Sequence, residues 1–150
     1  VPRFLDSGEW KPKPTVTTLT NAMDISLPNN FPRVLELESR HGLPLETLLT
    51  SFAIDDTETK EAVRALDAES YLADPHSALA WKALTDRLKE DETGVFLCTA
   101  HPAKFKETIE DTLNRPVTLP EALESVSEKE VLSTEMPADF GLLREYLLQD

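Results

Sequence analysis

Eight consecutive residues, Cys98-Thr99-Ala100-His101-Pro102-Ala103-Lys104-Phe105, gather most of the reactive chemistry that this chain concentrates in one place. A hydroxyl can donate or accept a hydrogen bond, an imidazole can do either, and an ammonium attracts anions. Together they could hold a polar or anionic small molecule. The same residues could equally form a plain turn into a helix, with Thr99 or His101 as its cap. Residue types and spacing leave both readings open. Two further positions invite the same double reading. Asn30 either caps a helix or approaches an anionic ligand. His76, directly after Pro75, reads as part of a helix start rather than as a base. His41, His76 and His101 lack metal-ligand spacing, so no metal site is expected.

The elements around this segment decide what it can do. Val95-Phe96-Leu97-Cys98-Thr99 is a short, uniformly apolar run after Gly94, which predicts a buried, central and parallel strand. In open α/β sheets, ligands sit beyond the carboxyl ends of strands. Pro102 should then open a helix that turns Phe105, Ile109 and Leu113 toward a core. Ahead of the run, Asp55 and Glu58 have the spacing of a capping box for a helix carrying Ala62, Val63 and Leu66. Asp74-Pro75 predicts another helix start, with Ala80, Ala83, Leu84 and Leu88 as its apolar stripe. Asn29-Asn30 offers a cap for a helix from Phe31 to about His41, stopped by Gly42, and a last helix is expected from about Ala138. Residues 45–54 are ambiguous between helix and strand. The first twenty residues, bent by Pro2, Pro12 and Pro14, read as extended or irregular. The pattern is α/β and helix-rich. One strand is too few for an independent sheet, so the other strands are expected in residues outside this chain.

Composition narrows the function. The formal net charge is −13, from 28 acidic and 15 basic residues, and it would repel a phosphate polyanion, so no nucleic-acid partner is expected. No apolar run is long enough to span a bilayer and no secretory signal is visible, so no membrane association is expected. The single cysteine, Cys98, can form no internal disulfide, which fits a cytoplasmic protein. The four glycines, Gly8, Gly42, Gly94 and Gly141, are far apart, whereas a loop that wraps a phosphate with its amides needs them clustered. The chain starts with Val1-Pro2-Arg3 rather than Met, so it is expected to begin inside a longer polypeptide or to be processed.

Thr99-Ala100-His101-Pro102-Ala103-Lys104-Phe105 resembles, without a mismatch, a segment of the longer bacterial threonine synthases. Val1-Pro2-Arg3-Phe4-Leu5 with Gly8 and Trp10, Asn21-Ala22-Met23-Asp24, Pro28-Asn29-Asn30, Pro32-Arg33-Val34, Asp74-Pro75-His76 and Pro137-Ala138-Asp139-Phe140 resemble the same family in the same order. Residues 43–54 and 114–135 match least. The resemblance implies the helix-rich C-terminal part of a fold-type II (tryptophan-synthase-β-like) pyridoxal phosphate enzyme. Its sheet would be completed by the N-terminal remainder, which is then the implied partner. Residues 1–30 would be an irregular lead-in, 31–113 a helix/strand layer, and 114–150 an extension with a closing helix. The implied reaction converts O-phospho-L-homoserine and water to L-threonine and phosphate, with the cofactor as electron sink.

By motif, Thr99 is implied to contact the cofactor's pyridine nitrogen. His101, Lys104 and Asn30 are weaker candidates for holding the substrate. The family's covalent lysine sits in a Phe-Lys-Asp setting that this chain lacks. Phe105-Lys106-Glu107 looks similar but belongs to the helix after Thr99, so no catalytic residue is expected here and the fragment alone should be inactive. Two alternatives stand beside this reading. One is a self-standing acidic helical interaction module, and the other is a related pyridoxal phosphate lyase.

Overall fold

Helix ends expose amides without partners, and at the helix starts after Asp55, Asp74 and Asp139 a side-chain carboxylate satisfies them. The structure, a computed structural model, describes residues 1–21, 24–26 and 28–149. Ala22 and Met23 of the Asn21–Asp24 stretch therefore lie outside the described residues. Contacts divide the chain into two units, Val1–Thr118 and Leu119–Asp150.

The first unit is organised by two capped helices, α4 (Asp56–Ala68) and α5 (Pro75–Thr85). At α4 the Asp55 carboxylate accepts from the amides of Thr57 (2.8 Å) and Glu58 (2.9 Å), and the Asp55 amide donates to Glu58 at 3.2 Å. This is the expected capping box. At the other end Ser70 adopts φ 64°, and the Tyr71 amide reaches back to the Leu66 carbonyl at 2.9 Å. That six-to-one bond is a Schellman closure, which fixes the direction in which the chain leaves the helix. Three residues later Asp74, with no exposed surface, caps α5. Its carboxylate accepts from the His76 amide at 3.0 Å, from the His76 ring at 3.1 Å and from the Ser77 hydroxyl.

A third helix, α6 (Lys106–Leu113), closes the core. Ala62, Val63 and Leu66 of α4 meet Ala73, Ala78, Ile109 and Val117, with Trp81, Phe105 and Leu113 packed around them. Polar links run along the seam. The Arg64 guanidinium donates to the Thr112 carbonyl at 3.2 Å, and Arg115 pairs with Asp67. Val117 extends the unit past α6 because its side chain is buried and its amide donates to Glu110 Oε1 at 2.8 Å.

The lead-in is less irregular than expected. Pro2 opens α1 (Pro2–Ser7), and Phe4, Trp10 and Phe31 form a cluster with Trp10 and Phe31 centroids 4.1 Å apart. Next come α2 (Pro32–His41) and the short α3 (Leu45–Leu48). Gly42 ends α2 at φ 63°, a conformation that favours glycine. Asn29 and Asn30 do not cap α2 as expected. Phe31 takes that position without a side-chain bond, and Pro32 removes one amide that would have needed a partner. In the second unit Asp139 caps α8 (Phe140–Leu147) by accepting from the Leu142 amide at 2.9 Å, and α7 (Glu121–Ser127) precedes it.

Two expectations fail for one reason. No strand forms among the described residues, so the α/β reading is not met and the unit is helical. Val95 and Leu97, expected to be buried, are 84% and 74% exposed. A strand needs a hydrogen-bonded neighbour, and these residues find none among the described residues. Likewise α5 buries Pro75, Ser77 and Ala78 rather than the predicted stripe. Ala80, Ala83 and Leu84 stay half-buried and Leu88 is exposed.

Replacing Asp74 with alanine removes the acceptor for three donors, and should cost about 2–4 kcal/mol of stability. Chemical denaturation of the variant measures this, and a loss within a few tenths of a kcal/mol would show the cap to be dispensable.

Candidate functional site

The Cys98–Phe105 segment begins where the chain returns past α5. Gly94 makes that return possible, since a Cβ there would lie 2.6 Å from Leu84 Cδ1. Thr99 follows on exposed chain outside any helix, so its side chain is open to a ligand. The turn after it is a 3-10 turn, Pro102–Phe105, leading directly into α6. His101 is its cap: the Ala103 amide donates to His101 Nδ1 at 3.1 Å, and the Lys104 amide donates to the His101 carbonyl at 3.0 Å. With Nδ1 accepting, a neutral ring carries its proton on Nε2. Of the two residues proposed as caps, His101 takes the role, which leaves Thr99 free.

Two contacts, one from the connection between α4 and α5 and one from the first turn of α5, bracket Thr99. On one side the Tyr71 hydroxyl donates to Cys98 Sγ at 3.1 Å. On the other, the His76 ring packs on Phe105 with centroids 5.1 Å apart. His76 is in turn held by the buried Asp74 carboxylate at 3.1 Å. The Tyr71 phenol is raised above its ordinary value, first by its hydrogen bond to Cys98 and then by charge repulsion from that residue.

Lys104 is exposed and lines an open depression of about 500 Å³ together with Lys106, Thr108, Thr18 and Asn21. Thr99 and His101 do not line it. Lys106, the lysine of the misleading triplet, lies 3.9 Å from Glu110 in an i,i+4 ion pair on α6. Asn30 is exposed, its carbonyl accepting from the Arg33 amide at 3.0 Å, and among the described residues it shares no hydrogen bond with the Thr99–Phe105 segment. Thus Thr99, His101 and Lys104 share one segment, and Asn30 does not join them. Tyr71 was not a candidate from sequence. Nothing local marks it, because its partner is twenty-seven positions away. Among the described residues no group of three or more His, Cys, Asp or Glu could hold a metal ion, and no helix is long and apolar enough to cross a membrane.

Residues 77–147 match the family model described as "Threonine synthase, C-terminal". Threonine synthase of Haemophilus influenzae is 52% identical over 149 residues, which is 99% of this chain and 35% of that protein. The crystal structure of threonine synthase from Escherichia coli matches with a TM-score of 0.90 at 47% identity, covering 98% of this chain and 34% of that one. The pyridoxal phosphate (PLP)-bound threonine synthase from Brucella melitensis matches with a TM-score of 0.72 at 25% identity, over 97% of this chain and 37% of that one. The chain thus spans about a third of the length of the curated relatives it matches.

The raised Tyr71 phenol gives a pH signature. Folding favours its protonated form, so its contribution to stability is full below the ordinary phenol value of about 10 and is lost as pH rises through the raised folded value. In a Tyr146→Phe background, which leaves one phenol, Cys98→Ala should bring the phenolate absorbance transition down toward the ordinary value. An unmoved transition would mean that Cys98 is not the cause.

Proposed function

We infer that this chain, homologous over nearly its whole length to the C-terminal third of threonine synthases, forms the part of such an enzyme that presents Thr99 to the cofactor ring. The whole enzyme converts O-phospho-L-homoserine and water to L-threonine and phosphate. The observation that carries this reading is the 52% identity along 99% of the chain. PLP as the cofactor is supported by the PLP-bound Brucella melitensis relative. The fold-type II sheet and the covalent lysine are assigned to the N-terminal remainder, the partner this chain requires. The single cysteine favours a cytoplasmic location.

The donor set here fits such a cofactor. Thr99 offers an exposed hydroxyl beside a turn whose own amide is already capped by His101. When bound, PLP supplies an electron sink for carbanions formed next to it. Thr99 would meet the pyridine nitrogen with a hydroxyl that brings no negative charge. A threonine hydroxyl is too weak an acid to hold a proton on that nitrogen, so a ring held this way would stay largely neutral. This would favour elimination and addition over transamination. His101 orients the turn through Nδ1. Lys104, exposed above the neighbouring depression, is the cation of this segment best placed to attract the substrate phosphate.

The test uses the full-length protein that contains this chain, with added PLP and O-phosphohomoserine. Release of phosphate with matching threonine formation is expected, and neither product would sink the assignment. The isolated 150-residue chain, once separated from free PLP by gel filtration, should retain none of the cofactor's absorbance. In the full-length enzyme Thr99→Asp should raise transamination relative to threonine formation. An unchanged product ratio would remove this role from the hydroxyl.

A further inference from the structure

Thr99 is exposed and lies in neither a helix nor a strand, a poor starting point for a residue that must meet one ring atom at hydrogen-bond distance. A loose hydroxyl loses much of its contribution, because a displacement of an ångström already costs a large factor in such sites. Something must hold its backbone. No strand neighbour does so among the described residues, and His101 fixes only the turn that follows.

The connection between α4 and α5 is well placed for this. It leaves α4 through the Tyr71 amide bond to Leu66 at 2.9 Å, with Ser70 held at φ 64°. It ends at Asp74, whose side chain has no exposure, and Ala73 beside it is buried as well. Both ends are therefore fixed, and few residues lie between them. From this rigid connection Tyr71 reaches Cys98, immediately before Thr99. From just beyond it His76, held by Asp74, packs on Phe105 at the far end of the turn. Cys98 and Thr99 share a peptide unit, so a hold on Cys98 restricts the backbone that carries the Thr99 hydroxyl.

We propose that Tyr71 is a positioning residue for Thr99, acting through the Cys98 thiol and assisted by the His76–Phe105 contact. The proposal rests on the assignment of Thr99 to the cofactor ring. It adds to that assignment a residue that acts through another side chain.

A double-mutant cycle in the full-length enzyme tests it, read by PLP affinity and by the emission spectrum of bound PLP. Tyr71→Phe keeps the ring and removes only the donor. It should weaken PLP binding about three- to tenfold, the range expected for one lost hydrogen bond, and should shift the emission. Cys98→Ala removes the same contact from the other side and should give the same change. In a Thr99→Val background the Tyr71→Phe effect should vanish, because no hydroxyl remains to be placed. A merely structural role predicts the opposite, an equal loss in both backgrounds, and would overturn the proposal. So would Thr99→Val that weakens PLP binding while Tyr71→Phe and Cys98→Ala leave it unchanged. If Thr99→Val itself changes neither readout, the assignment of Thr99 fails and the positioning role fails with it.

Discussion

A carboxylate with no exposed surface must be compensated where it sits, since burying an unpartnered charge costs several kcal/mol. Asp74 meets that requirement with three donors from the first turn of α5. Much of the first unit follows from this. The donors exist only while α5 is helical, so the cap and the helix require each other. The acceptor is buried beside Ala73 and Ala78, which belong to the same core as Val63, Leu66 and Ile109. The same carboxylate turns the His76 ring onto Phe105. One buried charge thereby couples the helical core to the turn that follows Thr99.

What was legible in the sequence was local. The Asp55–Glu58 capping box, the Asp74-Pro75 start and the Gly42 stop each involve residues within a few positions of one another. Such signals carry their own physics and need no distant partner. Phe105, Ile109 and Leu113 were found for the same reason, since helical spacing fixes which of them share a face. The failures were non-local. Val95–Thr99 has the composition of a buried strand, but composition cannot supply the neighbour that burial needs. Ala80 and Ala83 formed a convincing stripe, yet α5 turned its Asp74, Ser77 and Ala78 side inward because the cap had to be buried. The turn after Pro102 was read as α-helix, and the His101 ring tightened its start into a 3-10 turn.

The candidate site divides along the same line. Thr99, His101 and Lys104 stand together because they are close in sequence. Only coordinates could separate their circumstances: His101 is occupied as a cap, Lys104 overlooks a depression that Thr99 does not line, and Thr99 is open. Asn30 attracted attention as a cap it does not form. Tyr71 had no local signature, and its meaning comes entirely from the sulfur it meets across the fold.

The exposure of Val95 and Leu97 carries a different consequence, for the 150-residue chain taken by itself. Five successive residues, Val95 to Thr99, are uncharged, rich in strand-forming side chains and free of proline. Such a run with open backbone groups is a template for pairing with any other chain that offers an edge, including a copy of itself. Asp91 and Glu92 just upstream and the net charge of −13 act as gatekeepers, keeping copies apart in dilute solution. Salt weakens that repulsion while leaving the apolar run as adhesive as before. Solubility of the uncovered chain is thus a balance set by ionic strength.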